Sequence, residues 1–174
     1  MQSYRVVAVG DRIANAVRKT LVSPGYGHPA HTEVATGYGP CRQCLRTFTV
    51  GEERRILFTY DPFYGKEDLP LPGPVFIHEY DCERYREDAG FPVDMLSHRL
   101  TFNAYARGRR LIGQSYVSNG LVEPELQRLL QNRDLAYIHV RDTDGGCYDF
   151  CIERATNEEV LDESNRANGG QSHE

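Results

Sequence analysis

The sequence predicts an α+β fold built on a mainly antiparallel sheet of about six strands with two or three short helices. Three observations carry this. Strand-like segments follow one another along the chain instead of alternating with long helices, which argues against a βαβ repeat. Two pairs of these segments flank turn-rich stretches short enough to be hairpins. A Cys-x-x-Cys, Cys41-Arg42-Gln43-Cys44, is followed by His78 and Cys82; paired soft ligands at such spacings are what a tetrahedral metal requires, so a zinc-anchored loop belongs to the prediction.

The elements follow in order. Tyr4–Val9 is rich in β-branched residues and predicts a strand. Asp11 is placed to cap a helix over Arg12–Leu21, where Ile13, Val17 and Leu21 recur every four residues and Ser23-Pro24-Gly25 stops it. A Gly/Pro-rich loop leads through Gly37, Gly39 and Pro40 to Cys41. Arg54–Tyr60 and Val75–Tyr80 predict two strands. Between them, Asp61–Pro74 holds four prolines and two glycines and predicts an irregular surface loop, flanked by Tyr60, Phe63 and Tyr64 as candidate groove aromatics. Leu100–Tyr105 and Leu111–Val117 form one hairpin around Arg107-Gly108-Arg109. Pro124 opens a short helix through Leu130, with Leu126, Leu129 and Leu130 inward. Ala136–Arg141 and Cys147–Glu153 form the second hairpin.

A chain of 174 residues fits one domain with a tail. The expected division is a single α+β domain over 1–155 and a flexible acidic tail over 156–174, since the tail lacks aromatic residues and cannot offset the entropy of ordering. Net charge is −5, which disfavours nucleic acid and anionic membrane as partners. No apolar run approaches the roughly 20 residues needed to cross a bilayer. Five cysteines behind an N-terminus without a signal-peptide pattern predict a reducing, cytoplasmic setting in which thiols bind metal or react. A small molecule or a protein remains the expected partner.

Cys41 and Cys44 follow a Gly-Pro turn, whereas His78 and Cys82 span the end of a strand. Extended backbone would hold the latter two about 13 Å apart, so the chain must bend after Tyr80, with Asp81 capping a helical turn over Cys82–Tyr85. The four residues form a structural zinc set, because four protein ligands leave no position for substrate. Packed, idle thiols and a redox dithiol are the alternatives, and His28 and His31 are substitute ligands.

Alternation across the second hairpin predicts a polar surface away from the core, uniting Tyr137, His139 and Arg141 with Cys147, Asp149 and Cys151. There Cys147 and His139 are a candidate nucleophile and base, Asp149 an orienting carboxylate and Arg141 an anion-binding group, one basis for a small-enzyme alternative; the other is an open zinc site with three protein ligands and a free position. Arg107, Arg109 and Arg110 around the first hairpin are open to a lesser reading as a phosphate contact. The sequence contains no phosphate loop, dinucleotide fingerprint, nucleophile elbow or His-Glu-x-x-His.

Gly39-Pro40-Cys41-Arg42-Gln43-Cys44-Leu45-Arg46, Gly51-Glu52, Tyr60-Asp61-Pro62-Phe63 and Gly73-Pro74-Val75-Phe76-Ile77-His78, with Cys82 and Tyr85, resemble the bacterial domain-of-unknown-function family 1203. The similarity continues through Arg99, Tyr105, Ile138-His139-Val140-Arg141, Gly146-Cys147 and Glu153-Arg154. It covers most of Tyr4–Ala155 and implies that Cys41, Cys44, His78 and Cys82 occur as a set. Asn103 stands where the resemblance implies an Arg, and Cys151 is particular to this chain. The resemblance names no activity.

Overall fold

The computed structural model describes residues 3–63, 65–66, 71–118 and 120–155. Tyr64 and the expected tail therefore lie outside the described residues. The chain runs β1 (Tyr4–Val7), α1 (Asp11–Thr20), β2 (His31–Val34), β3 (Arg54–Tyr60), β4 (Gly73–His78), β5 (Leu100–Ala106), β6 (Arg110–Val117), α2 (Val122–Leu130), β7 (Tyr137–Asp142) and β8 (Tyr148–Arg154), with a single 3-10 turn at Val93–Met95.

The architecture is α+β with antiparallel pairing. In place of one sheet of about six strands, eight strands among the described residues form two sheets, ordered β1-β8-β7-β5-β6 and β2-β3-β4. Strands β5, β7 and β8 of the larger sheet are buried on both faces, whereas the edge strand β6 is largely exposed. On one face, Val6, Phe102, Ile138, Val140, Phe150 and Ile152 meet Leu126, Leu129 and Leu130 of α2. On the other, Tyr105, Tyr137, Tyr148 and Cys151 meet Ile56, Phe58, Val75 and Ile77 of the small sheet, with Ala14 and Val17 of α1. Each fully buried aliphatic or aromatic side chain stabilises the fold by roughly 1.5–3 kcal/mol relative to exposure.

Local chemistry explains the elements and corrects several expectations. In α2 the buried Val122, Leu126, Leu129 and Leu130 make one apolar stripe. That helix starts two residues before Pro124, which is tolerated because N–H groups of the first turn have no intrahelical acceptor. Helix α1 is entered from Gly10 with no side-chain cap; Asp11 instead accepts a bond from Gln43 Nε2 at 2.8 Å. Leu21, expected to be the last helical residue, instead caps the helix in the left-handed region (φ 50°) and is 42% exposed. The loop after β3 is anchored: Asp61 Oδ1 accepts the amides of Phe63 and Leu71 at 3.0 and 3.1 Å. Phe63 is fully buried against Tyr105, Tyr137 and His139, so it serves the core and does not line a groove. No helix among the described residues is long and apolar enough to cross a membrane.

Candidate metal centre

Cys41 and Cys44 sit on a tight turn. Leu45 N–H bonds Cys41 O at 2.8 Å, and Cys41 N–H bonds Arg46 O at 2.9 Å. Closing it places Leu45, a residue with a Cβ, at φ 58°, a sparsely allowed conformation held here because the side chain is 1% exposed in the core. The turn docks on β4 through Arg42 N–H to Phe76 O, 2.9 Å. That contact brings the Cys pair to His78, the last residue of β4. The strand ends there, two residues earlier than expected, and Cys82 returns through an irregular segment. The helical turn expected at Cys82–Tyr85 does not form; Tyr85 N–H bonds Gln43 O instead.

The ligand-type atoms of Cys41, Cys44, His78 and Cys82 all lie within 4.8 Å of one another. Cys41 Sγ and Cys82 Sγ are 3.8 Å apart, and Cys44 Sγ is 3.3 Å from His78 Nδ1. A tetrahedron with metal–sulfur bonds of about 2.3 Å has edges of about 3.8 Å, so the first separation is that of two ligands on one ion. Cys41 and His78 are fully buried and Cys44 nearly so, whereas Cys82 is at the rim. His78 turns Nδ1 to the thiols and Nε2 toward Glu53 Oε1 at 3.4 Å, where no hydrogen bond satisfies it. A carboxylate behind the second ring nitrogen is the usual support for a metal-bound imidazole. Burial opposes ionisation of Cys41, but hydrogen bonds from Cys44, Cys82 and His78 outweigh it and hold that thiol below its ordinary range. Burial also works against a charged His78, yet its hydrogen bonds to Cys41 and Cys44 push it up to about 9. Cys82, bonded to Cys41 and Cys44, is pushed up. A cation bound here would displace protons from the thiols it met.

The two residues inside the Cys-x-x-Cys are equally built in, which spacing alone did not reveal. Arg42, 2% exposed, donates Nε to Tyr148 O at 2.7 Å and Nη1 to Pro40 O at 2.6 Å. Its Nη2 stands 2.9 Å from Asp149 Oδ1, off the hydrogen-bonding direction, so neither carboxylate oxygen accepts a bond. Burial pushes the Asp149 carboxyl up to about 7 against the pull of Arg42. Gln43 accepts from Arg18 Nη2 at 2.6 Å, and Arg18 also reaches His78 O and Cys82 Sγ. Arg18 comes from α1, and only its place in an otherwise apolar helical face marked it.

His28 and His31 are not part of the cluster. His28 lies between Ser23 and Thr59, and His31 faces Glu33. The second candidate set is divided. Asp149 is a bulge in β8, since Val140 pairs with Phe150 but Arg141 with Tyr148. The bulge turns Tyr148 onto the His139 face and Asp149 toward Arg42. His139 is fully buried among Phe63, Tyr105, Tyr137 and Tyr148, with ring centroids 4.7 to 5.3 Å away, and neither ring nitrogen has a hydrogen-bond partner. The face expected to be solvated is therefore the second core, with Cys151 at 1% exposure within it. Cys147 stays at the hairpin end, its Sγ directed to Gly145 O, and shares a cavity of about 200 Å³ with Arg141, Tyr60 and Tyr148. Cys147 and Arg141 are brought together; His139 and Asp149 are not brought to them.

Fold and site together define a two-sheet α+β protein with a mostly buried Cys3His cluster, able to hold a metal ion, gathered at the end of β4. Residues 38–154, more than half of the chain, match the family described as Protein of unknown function (DUF1203), and the chain belongs to that family. The matched stretch contains all four cluster residues but not Arg18. No curated protein and no solved structure matches the chain.

Proposed function

We propose that this chain is a zinc-stabilised binding or accessory domain in which Cys41, Cys44, His78 and Cys82 hold one structural zinc ion. The observation that carries the reading is the convergence of three thiols and an imidazole nitrogen within 4.8 Å. Thiolates with imidazole favour zinc over the hard cations, which take oxygen ligands. The ion would tie the turn after β2 to the end of β4, and four protein ligands leave it no open position for a substrate. The small-enzyme alternative based on Cys147 and His139 has no contact in its favour.

Elemental analysis of the purified chain, with thiols counted before and after chelation, tests this. One zinc per chain is expected, with Cys147 reacting at once and the three cluster thiols only after chelation. A metal-free chain whose cluster thiols react no more slowly when zinc is supplied overturns it.

A further inference from the structure

A cleft of about 700 Å³, within the range of small-molecule sites, is lined by none of the four cluster residues. Three separate stretches wall it: Arg107 and Arg110 at the β5–β6 turn, Arg133 in the α2–β7 connection, and Arg154 at the end of β8. The hairpin arginines were visible in the sequence; tertiary structure adds the other two. Asp134 is the lone carboxylate in the lining.

What these four arginines share, besides the cleft, is that none has a carboxylate partner among the described residues, as is also true of Arg12, Arg46 and Arg141 outside it. Nine other arginines, from Arg5 to Arg128, each stand within ion-pair distance of a carboxylate. Among the described residues no carboxylate pairs with any of the four at the cleft; Arg154 alone makes a hydrogen bond, to Asn132 O at 2.9 Å. The backbone beneath them is held. Leu135 is buried in the core under α2, its N–H bonds Asn132 O, and Ala136 N–H bonds Tyr105 O at 2.8 Å. A chain with net charge −5 thus keeps four guanidinium groups and one carboxylate together, open to solvent, on a rigid base.

We propose that this cleft binds the phosphate chain of a small oligophosphate, a di- or triphosphate. Planar guanidinium forks match phosphate oxygens two at a time, and a triphosphate concentrates about as much negative charge as the cleft has net positive charge. A single carboxylate would leave most of the groups uncompensated. The negative charge of the whole chain opposes a long nucleic acid, whose phosphates extend past the cleft. The proposal goes beyond the metal reading and does not rest on it.

Calorimetric titration of the full chain with inorganic triphosphate, and separately with a nucleoside triphosphate, is the test. One saturable site is expected, weakening as salt rises. The double variant Arg110→Gln, Arg133→Gln should weaken binding at least tenfold, and Arg86→Gln, at a paired and exposed arginine, by less than twofold. All three positions are exposed, so folding is not at issue, and chelation of a bound metal would contribute equally in every chain. Equal affinities for the two ligands assign recognition to the phosphate chain alone; tighter nucleoside triphosphate binding adds a contact to the base or sugar. Absence of binding, an equal loss in the Arg86 variant, or tighter binding of a single-stranded oligonucleotide overturns the proposal.

Discussion

Replacing His139 by Leu, a side chain of similar volume without nitrogen, isolates the cost of a neutral imidazole closed into the second core. Burial, with Arg141 and Lys66 nearby, lowers its pKa from an ordinary 6.5 to about 3. Because the folded value is the lower one, the unfolded chain takes up a proton that the folded chain refuses. The associated stability is present above pH 6.5 and is lost as pH falls toward 3. At about 1.4 kcal/mol per pH unit, the loss between pH 7.5 and pH 5 is roughly 2 kcal/mol. The wild-type chain hides it. Asp149 has a folded value of about 7 against an ordinary 3.8, so it gains roughly 2–3 kcal/mol over the same interval, with opposite sign. His139 is not among the groups that shift Asp149, so the two slopes separate by mutation. Urea unfolding at the two pH values, extrapolated linearly, should show His139→Leu becoming more stable relative to wild type by about 2 kcal/mol on acidification. At neutral pH the variant should already match or exceed wild type, since it removes two unsatisfied nitrogens. Parallel pH dependence of the two chains would refute the buried, neutral imidazole.

Two further outcomes follow from the packing. Arg42→Leu removes the cation beside Asp149 together with the donors to Tyr148 O and Pro40 O and should cost about 3–5 kcal/mol in the same unfolding assay; adding Asp149→Asn should recover the part due to the carboxyl group, and an equal loss in the double variant would deny the pair. Cys41→Ser should abolish retention of zinc and lower the Tm, while Cys82→Ser, at the rim, should retain a weaker, more readily chelated ion; identical metal content in both variants would contradict the ranking.

The family resemblance and the two residue pairs that converge, Cys41 with Cys44 and His78 with Cys82, were legible in the sequence because both are local: a Cys-x-x-Cys on a Gly-Pro turn and a His-x3-Cys at a strand end need only short stretches of chain. Strand and helix positions were legible for the same reason, since the 2-residue and 3.6-residue periods report which positions share a face. What covers each face was not. His139 alternates with Ile138 and Val140 as a polar-face residue should, and nothing local shows that the small sheet and α1 lie over it. One bulge at Asp149 then reassigns Tyr148 and divides the expected Cys–His–Asp group, because a single extra residue reverses the side-chain direction beyond it. The sequence alone thus determined an α+β chain with paired soft ligands. Tertiary structure decided that it has two sheets and two cores, that Arg42 bridges the metal-type turn to β8, and that Arg133 and Arg154 join the hairpin arginines. Burial and convergence arise from contacts between residues far apart in the chain, which no local period encodes.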